Sequence, residues 1–461
     1  MKHPSASVAP PSRNFSHRLL SILLGLFLAL CLLKFGNPPI MEKYVTPPGN
    51  IYELLLGFPW PITWAYLGLA GLLVVGWRTA RWELPAPPWL ALLPFFWLAW
   101  QVLAEWDSVS PTLSIPTVRH FIACVACYAL GLFCLGPRGP LSAGFLAALT
   151  AGILLVVIAG WEQHFGGLEA SRKYFFQYLY PELKEVPPEY LKKISSDRIF
   201  ATLFYPNTLA GALLLIYPPV LWFVWSVGGE GRMTLPARAT LLAMVALGGA
   251  GCLYWSGSKG GWLIALVLGL IALQRSGFSR QLRLALVLGI LVAGLAGFFW
   301  KYSGFFQKGA TSVGARFDYW RAAVETARNH PFLGTGPGTF ALAYEKIKRP
   351  ESEMARLAHN DYLEQASDSG LLGALLYSVF VVGSLAVGWR RIHRAGPSAM
   401  DSIAGQRFAV WLGVFAWAIH SVIEFGLYIP ALAWPAFSLL GWLLGQPEKG
   451  GNPQGKPSQN Q

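Results

Sequence analysis

Residues 284–300 read LALVLGILVAGLAGFFW, an apolar run without a charge, and a long polar segment follows until another apolar run opens near 368. The first stretch has the length and composition of a membrane-crossing helix. Working outward from it, similar runs recur along the chain. They lie at roughly 18–34, 60–77, 88–104, 117–136, 142–161, 208–227, 239–255, 261–274, 284–300, 368–389, 408–424 and 428–445. The second has room to start as early as Ile51, and the eighth to extend outward over Tyr254–Lys259. With 54% hydrophobic and only 13% charged residues, the chain carries about half the charge of a soluble domain. The pattern predicts an all-α, polytopic membrane bundle of about twelve helices, with a large extracytoplasmic loop between the ninth and tenth.

Charge predicts the orientation. If the N-terminus is cytoplasmic, the inner segments hold seventeen basic and four acidic residues, which accounts for the whole formal charge of +13. The positive-inside rule then places both termini in the cytoplasm. The basic balance is therefore a topology signal and lends no support to nucleic-acid binding. The first run is too long, and lacks a small-x-small cleavage site, for a removed signal; it reads as a signal anchor. The Pro-, Ser-, Gly- and Gln-rich ends, 1–14 and 446–461, read as disordered tails around a single domain at 15–445. Cys31, Cys124, Cys127, Cys134 and Cys252 all fall in or beside apolar runs. A lone Cys124-x-x-Cys127 is not a metal-binding pattern.

Two loops break the short-connection pattern, 162–207 and 301–367, and both are expected outside. A membrane protein seldom keeps loops of this length without a use for them. In the second, Phe317, Trp320, Ala323, Val324 and Ala327 recur at three-to-four spacing over 316–328. That spacing predicts an amphipathic helix ended by Pro331 and Gly334, able to lie on the outer membrane face. The loop ends in His359-Asn360 and, nine residues later, Gly370-Leu371-Leu372-Gly373. If one helix begins near His359, Gly370 and Gly373 fall about +20° and −40° from it, while Asp361, Glu364 and Asp368 fall opposite. His359 then overlooks a smooth glycine face, a geometry that suits a loop or capping histidine as well as a chemical one.

Cations collect on the same side. Arg316, Arg321 and Arg328 line the amphipathic segment, Lys259 sits in Ser256-Gly257-Ser258-Lys259-Gly260-Gly261, and Arg198 precedes Tyr205-Pro206-Asn207-Thr208. Any one of them alone reads more simply as a snorkelling side chain. His420 and Glu424, at the outer end of the eleventh run, have the i,i+4 spacing of a metal pair or a buried hydrogen bond; hydrogen bonding within the bundle is the expectation. Glu105-Trp106-Asp107 and Glu351-Ser352-Glu353 read as solvated loop pairs. Nothing in the sequence requires a metal or cofactor. Gly334-Thr335-Gly336-Pro337-Gly338 lacks the strand and lysine of a nucleotide loop.

Together these residues resemble the bacterial O-antigen ligase and O-antigen polymerase family, which includes protein O-oligosaccharyltransferases. Arg316-x-x-x-Trp320 resembles the family's loop arginine. His330-Pro331-Phe332-Leu333-Gly334-Thr335-Gly336 resembles its Pro-Leu-Gly-x-Gly turn, and His359-Asn360-x9-Gly370-x-x-Gly373 its ligase-type signature. Ser256-Gly257-Ser258-Lys259-Gly260 resembles its Ser-Arg-Gly turn with lysine for arginine. The specific matches cover 256–373.

The resemblance implies a glycosyltransferase of the inner membrane in lipopolysaccharide or polysaccharide biosynthesis. It would move a glycan from an undecaprenyl diphosphate donor to an acceptor hydroxyl, on a sugar-lipid or a protein, at the periplasmic side, without a metal and with inversion. It implies His359 as general base, with Arg316 and Lys259, and Arg198 in the place of a second arginine, holding the diphosphate. Asn360, Gly370 and Gly373 support the motif. The rival from another class is a twelve-helix transporter of a lipid or sugar. No half-to-half likeness of the kind transporters show is visible here.

Overall fold

The computed structural model describes residues 11–446 apart from 56, 58, 86, 175, 178–179, 181–190, 192–193, 230, 308–310, 351 and 395–402. Among the described residues it is all-helical, with no strand. The expected tails lie largely outside them, although the first helix reaches back to Pro11 and Gln446 is buried.

All twelve predicted apolar runs fold as helices: α1 Pro11–Lys34, α2 Ile62–Thr79, α3 Pro88–Trp106, α4 Pro111–Ala129, α5 Ala143–Glu162, α6 Pro206–Val227, α7 Leu235–Trp255, α8 Lys259–Gln274, α9 Arg280–Gln307, α12 Asp361–Arg394, α13 Ile403–His420 and α14 Pro430–Gly445. Two further helices, α10 Thr311–Asn329 and α11 Phe340–Ile347, fill the second long loop. Among the described residues, eight helices are long and apolar enough to cross a membrane, and α8 and α14 are shorter apolar helices. Two boundaries differ from expectation. Ile51–Leu55 is a separate short helix, so α2 starts only after Pro61. Residues 256–258 form a turn rather than an extension of α8, because Gly257 adopts φ +61° and Ser258 caps the helix.

The core is built around α14, every residue of which is buried. Small residues let the chain approach it. A Cβ on Gly441 would lie 2.2 Å from the Tyr128 carbonyl oxygen, and one on Gly131 2.0 Å from that of Ser438. Such close backbone contact is how helices associate where no hydrophobic drive separates them from lipid. By contrast, only 6% of the apolar window of α9 is buried. An apolar surface of that extent needs a non-aqueous neighbour, as a bilayer provides.

The two ends of the bundle differ. At one end Arg391 donates to the Leu443 and Leu444 carbonyls that close α14, and Arg407 donates to Gln446. At the other, the starts of α6, α8 and α12 meet the end of α13, covered by α10.

The helix predicted at 316–328 is present and longer, but its phase differs. Tyr319, Ala322, Ala323 and Ala327 are buried, whereas Phe317 is 61% exposed. The buried face packs on Phe340 and Tyr344 of α11 and on Ala355 and Ala358. The helix is thus held to the protein on that side.

Candidate active site

Three distant stretches converge on the carboxylate of Glu424. The last turn of α13 tightens into bonds from Val422 N–H to Ile419 O and from Ile423 N–H to His420 O. Helix α13 therefore stops at His420, and Glu424 sits in the following turn. Its Oε1 accepts from Nη2 of Arg316, on α10, and from Nδ2 of Asn207, on α6. Its Oε2 accepts from Nδ1 of His359 at 3.0 Å. Burial pushes the Glu424 carboxyl up, but the His359 ring, the Arg316 guanidinium and His420 together pull it down to about 2. Glu424 is therefore an anion at any physiological pH.

A carboxylate can only accept, so the proton of neutral His359 lies on Nδ1 and the lone pair on Nε2. The ring keeps 29% of its surface exposed. Tyr319 stacks on it at 5.9 Å and Phe425 meets it edge-on at 4.7 Å. The backbone of His359 is left-handed, φ +52°, which is uncommon outside glycine and is held only by surrounding bonds. Those bonds are evident. Ala358 N–H donates to Glu364 Oε2 at 2.7 Å, Trp320 Nε1 donates to the His359 carbonyl at 3.4 Å, and Asn360 Oδ1 caps α12 by accepting from Tyr362 and Leu363 N–H.

The structure brings the expected cations to this cluster. Arg316 also donates from Nε to Ile423 O at 3.0 Å and from Nη1 to Ser312 O at 3.1 Å. Arg198 donates to the Ser256 carbonyl and to Asn207 Oδ1, both at 2.7 Å. Gln163 anchors its segment by accepting from Phe200 and Ala201 N–H. Burial lowers the pKa of the Arg198 guanidinium, Glu424 opposes that, and the nearby Arg316 charge lowers it further. Lys259 begins α8 within electrostatic range of both arginines, over the Tyr302 ring at 5.1 Å. Gly260 packs so tightly on the Glu424 turn that a Cβ there would lie 2.1 Å from Ile423 Cδ1. A guanidinium has five N–H donors, so these bonds leave some over for an anion.

Two expectations are corrected. His420 and Glu424 do not stand on one helix; the hydrogen bonding expected within the bundle is made by Glu424, to Arg316, Asn207 and His359, whereas neither ring nitrogen of the buried His420 has a hydrogen-bond partner among the described residues. Second, His359 does not overlook a glycine face. It precedes α12, and Gly370 (φ +71°, ψ −179°) breaks that helix, so wheel angles cannot be carried across it. The glycines serve packing instead. A Cβ at Gly370 would lie 1.9 Å from the Phe332 carbonyl oxygen, and one at Gly373 2.6 Å from Ser369 Cβ and 3.2 Å from Trp100. The acids on the first turns of α12, not expected to partner His359, are fully buried, and Asp361, Glu364 and Asp368 each accept a backbone N–H.

The glycine-rich turn is likewise a brace. Thr335 N–H donates to Ser367 O and Gly336 N–H to Asp368 O, and Leu371 N–H reaches Pro331 O. Gly370→Ala would combine this clash with a left-handed φ. It is expected to cost about 1–3 kcal/mol or more, read as a lower unfolding temperature in detergent.

Sequence reasoning missed Asn207, Trp320 as a donor to His359, and the three acids. Acids buried in an apolar helix were the available signal.

No curated protein matches the chain. Residues 241–378 match the family model described as O-antigen ligase. That stretch runs from α7 into α12 and contains the Ser256–Gly260 turn, Arg316, the glycine-rich brace and His359, so over these residues the chain is similar to the O-antigen ligase family.

Proposed function

We propose that the protein transfers a glycan from an undecaprenyl diphosphate donor to an acceptor hydroxyl at the outer face of the bacterial cytoplasmic membrane. Glycan transfer of the O-antigen ligase or polymerase type is what the family match supports. The single observation that carries the finer reading is the His359–Glu424 pair beside Arg198, Lys259 and Arg316.

In this reading the acceptor hydroxyl gives its proton to His359 Nε2 as its oxygen attacks the anomeric carbon. The carbon–oxygen bond to the donor phosphate breaks, and its electron pair leaves on the diphosphate. Glu424 offsets the positive charge that forms on the imidazole and holds the ring orientation, the role an orienting carboxylate plays behind any histidine base. Arg316, Arg198 and Lys259 stabilise the charge on the leaving oxygens. Lysine supplies a point charge where arginine would supply a fork. Diphosphate is already a good leaving group, so a general acid and a metal are both unnecessary. One displacement inverts the anomeric centre.

Placing both termini in the cytoplasm puts the arginine-capped end inside and the His359 end in the periplasm, where no nucleotide sugar is present and the activated bond must arrive on a lipid. The acceptor is a lipid-borne core sugar in a ligase, another lipid-linked repeat in a polymerase, or a protein hydroxyl in an oligosaccharyltransferase; the ligase-type His-Asn signature favours the first.

The test is to incubate purified protein in nanodiscs with undecaprenyl-diphosphate-linked glycan and candidate acceptors. Release of free undecaprenyl diphosphate with growth of one acceptor is the expected result. Movement of a solute across vesicles with no bond cleavage would show a transporter instead. Arg316→Ala is expected to raise the donor KM and lower kcat, because each charge-assisted phosphate contact contributes about 1.5–3 kcal/mol. Steady-state kinetics reads this directly, and unchanged values would move the diphosphate site elsewhere.

A further inference from the structure

Asp361, Glu364 and Asp368 recur at i, i+3 and i+7 on the half-helix that precedes the Gly370 break, so they share one face. Each is fully buried, and each carboxylate accepts a backbone N–H from a different segment: Leu427 at 2.8 Å, Ala358 at 2.7 Å and Gly338 at 2.7 Å. One short helix thereby fixes the turn that carries Glu424, the loop that carries His359 and the glycine-rich brace. A buried acid in a membrane bundle is expensive to keep, which is why such residues mark function more often than packing.

Asp361 differs from the other two because it joins both halves of the catalytic pair. It follows His359 by two residues. Its own N–H donates to Ser421 O at 2.8 Å, and its Oδ2 accepts from Leu427 N–H. Those two contacts bracket Glu424 symmetrically, three residues before it and three after. The far side of the Leu427 peptide is held as well. Its carbonyl accepts from His120 Nε2 at 2.8 Å, and His120 Nδ1 accepts from Trp434 Nε1 at 3.1 Å, so the histidine tautomer is set by its neighbours. The turn has few other ways to shift while Asp361 keeps both bonds.

We infer that Asp361 is the positioning residue of the reaction: it sets the distance between His359 and Glu424 by clamping the Ser421–Leu427 turn, without touching substrate. The inference rests on the reading of His359 and Glu424 as the chemical pair.

The experiment measures undecaprenyl diphosphate released from extracted undecaprenyl-diphosphate-linked glycan, with a membrane extract of the same strain as acceptor, normalised to folded protein in nanodiscs. The proteins compared are wild type, His359→Ala, Glu424→Gln, Asp361→Ala, Asp361→Asn and the Asp361→Ala/Glu424→Gln double variant. Asp361→Ala is expected to lower kcat about 10²-fold, the usual cost of a small misplacement, with the donor KM within about twofold. Asp361→Asn keeps an oxygen for Leu427 N–H and is expected to retain kcat within about threefold. The double variant is expected to be no slower than Glu424→Gln alone within about twofold, because Asp361 acts through that residue.

An Asn variant as slow as the Ala variant, wild-type kcat in Asp361→Ala, or losses that multiply in the double variant would each overturn the inference. If Asp361→Ala does not accumulate, Asp361→Val takes its place in the cycle, and the Asn variant decides by itself: normal kcat supports the clamp and a full loss refutes it. Wild-type turnover in His359→Ala would remove the underlying reading and the inference with it. An inactive His359→Ala beside a fully active Asp361→Ala would remove the inference alone.

Discussion

His359→Ala is expected to lower donor turnover by about 10²–10⁴-fold, the range general-base catalysis supplies, while the donor KM stays within about twofold. The expectation follows from the division of labour at the site. In the proposed reading the diphosphate meets the cations, whereas the imidazole meets only the acceptor hydroxyl. The bond from Nδ1 to Glu424 leaves Nε2 as the proton-accepting atom. The left-handed backbone at this position makes the choice of control matter. Asparagine tolerates that conformation better than alanine, so His359→Asn keeps the loop geometry without a base. Both variants should be similarly inactive in single-turnover assays. An active Asn variant would show that loop shape, rather than proton transfer, was lost.

Glu424 carries the second large effect. Glu424→Ala leaves the Arg316 guanidinium, the Asn207 amide and His359 Nδ1 facing a buried void, since the Glu424 side chain is only 7% exposed. Removing one partner from a buried ion pair costs about 3–5 kcal/mol, so this variant is expected to lose stability as well as activity. Glu424→Gln separates the two. It keeps the volume but presents a neutral amide, which neither offsets an imidazolium nor fixes its tautomer. Its kcat is expected to fall about 10²–10³-fold with a much smaller loss of unfolding temperature.

The same residue predicts a pH dependence. The folded carboxyl is depressed to about 2 from an ordinary 4.5. Its contribution to stability is therefore full above the unfolded value and is lost as the pH falls towards 2. The gap in unfolding temperature between wild type and Glu424→Gln should accordingly narrow over that window. A gap independent of pH would mean that Glu424 is not held as an anion.

The bundle was legible because apolar length is a local property: residues 284–300 announce a membrane helix whatever surrounds them. The candidate site was legible only in part. His359, Arg316, Lys259 and Arg198 stand out as polar residues in short motifs, and the fold gathers them. Glu424 appeared in the sequence only as a neighbour of His420, because a periodicity argument continues α13 four residues past its real end. The same assumption of an unbroken helix carried the wheel from His359 across Gly370, where φ is +71°. That wheel sets Asp361, Glu364 and Asp368 opposite His359 and assigns them no partners. Their partners, Leu427, Ala358 and Gly338, lie in loops whose course no periodicity encodes. Asn207 was visible near Arg198 in sequence, but its bond to Glu424 joins residues 217 positions apart.

The most direct test is a structure of the His359→Ala protein trapped with an undecaprenyl-diphosphate-linked glycan. The account predicts the diphosphate oxygens within hydrogen-bonding distance of Arg316, Arg198 and Lys259, with the anomeric carbon beside the space the imidazole vacated. A diphosphate bound instead against Arg321 and Arg328 on the outer face of α10, or at the arginine-capped end of the bundle, would contradict it.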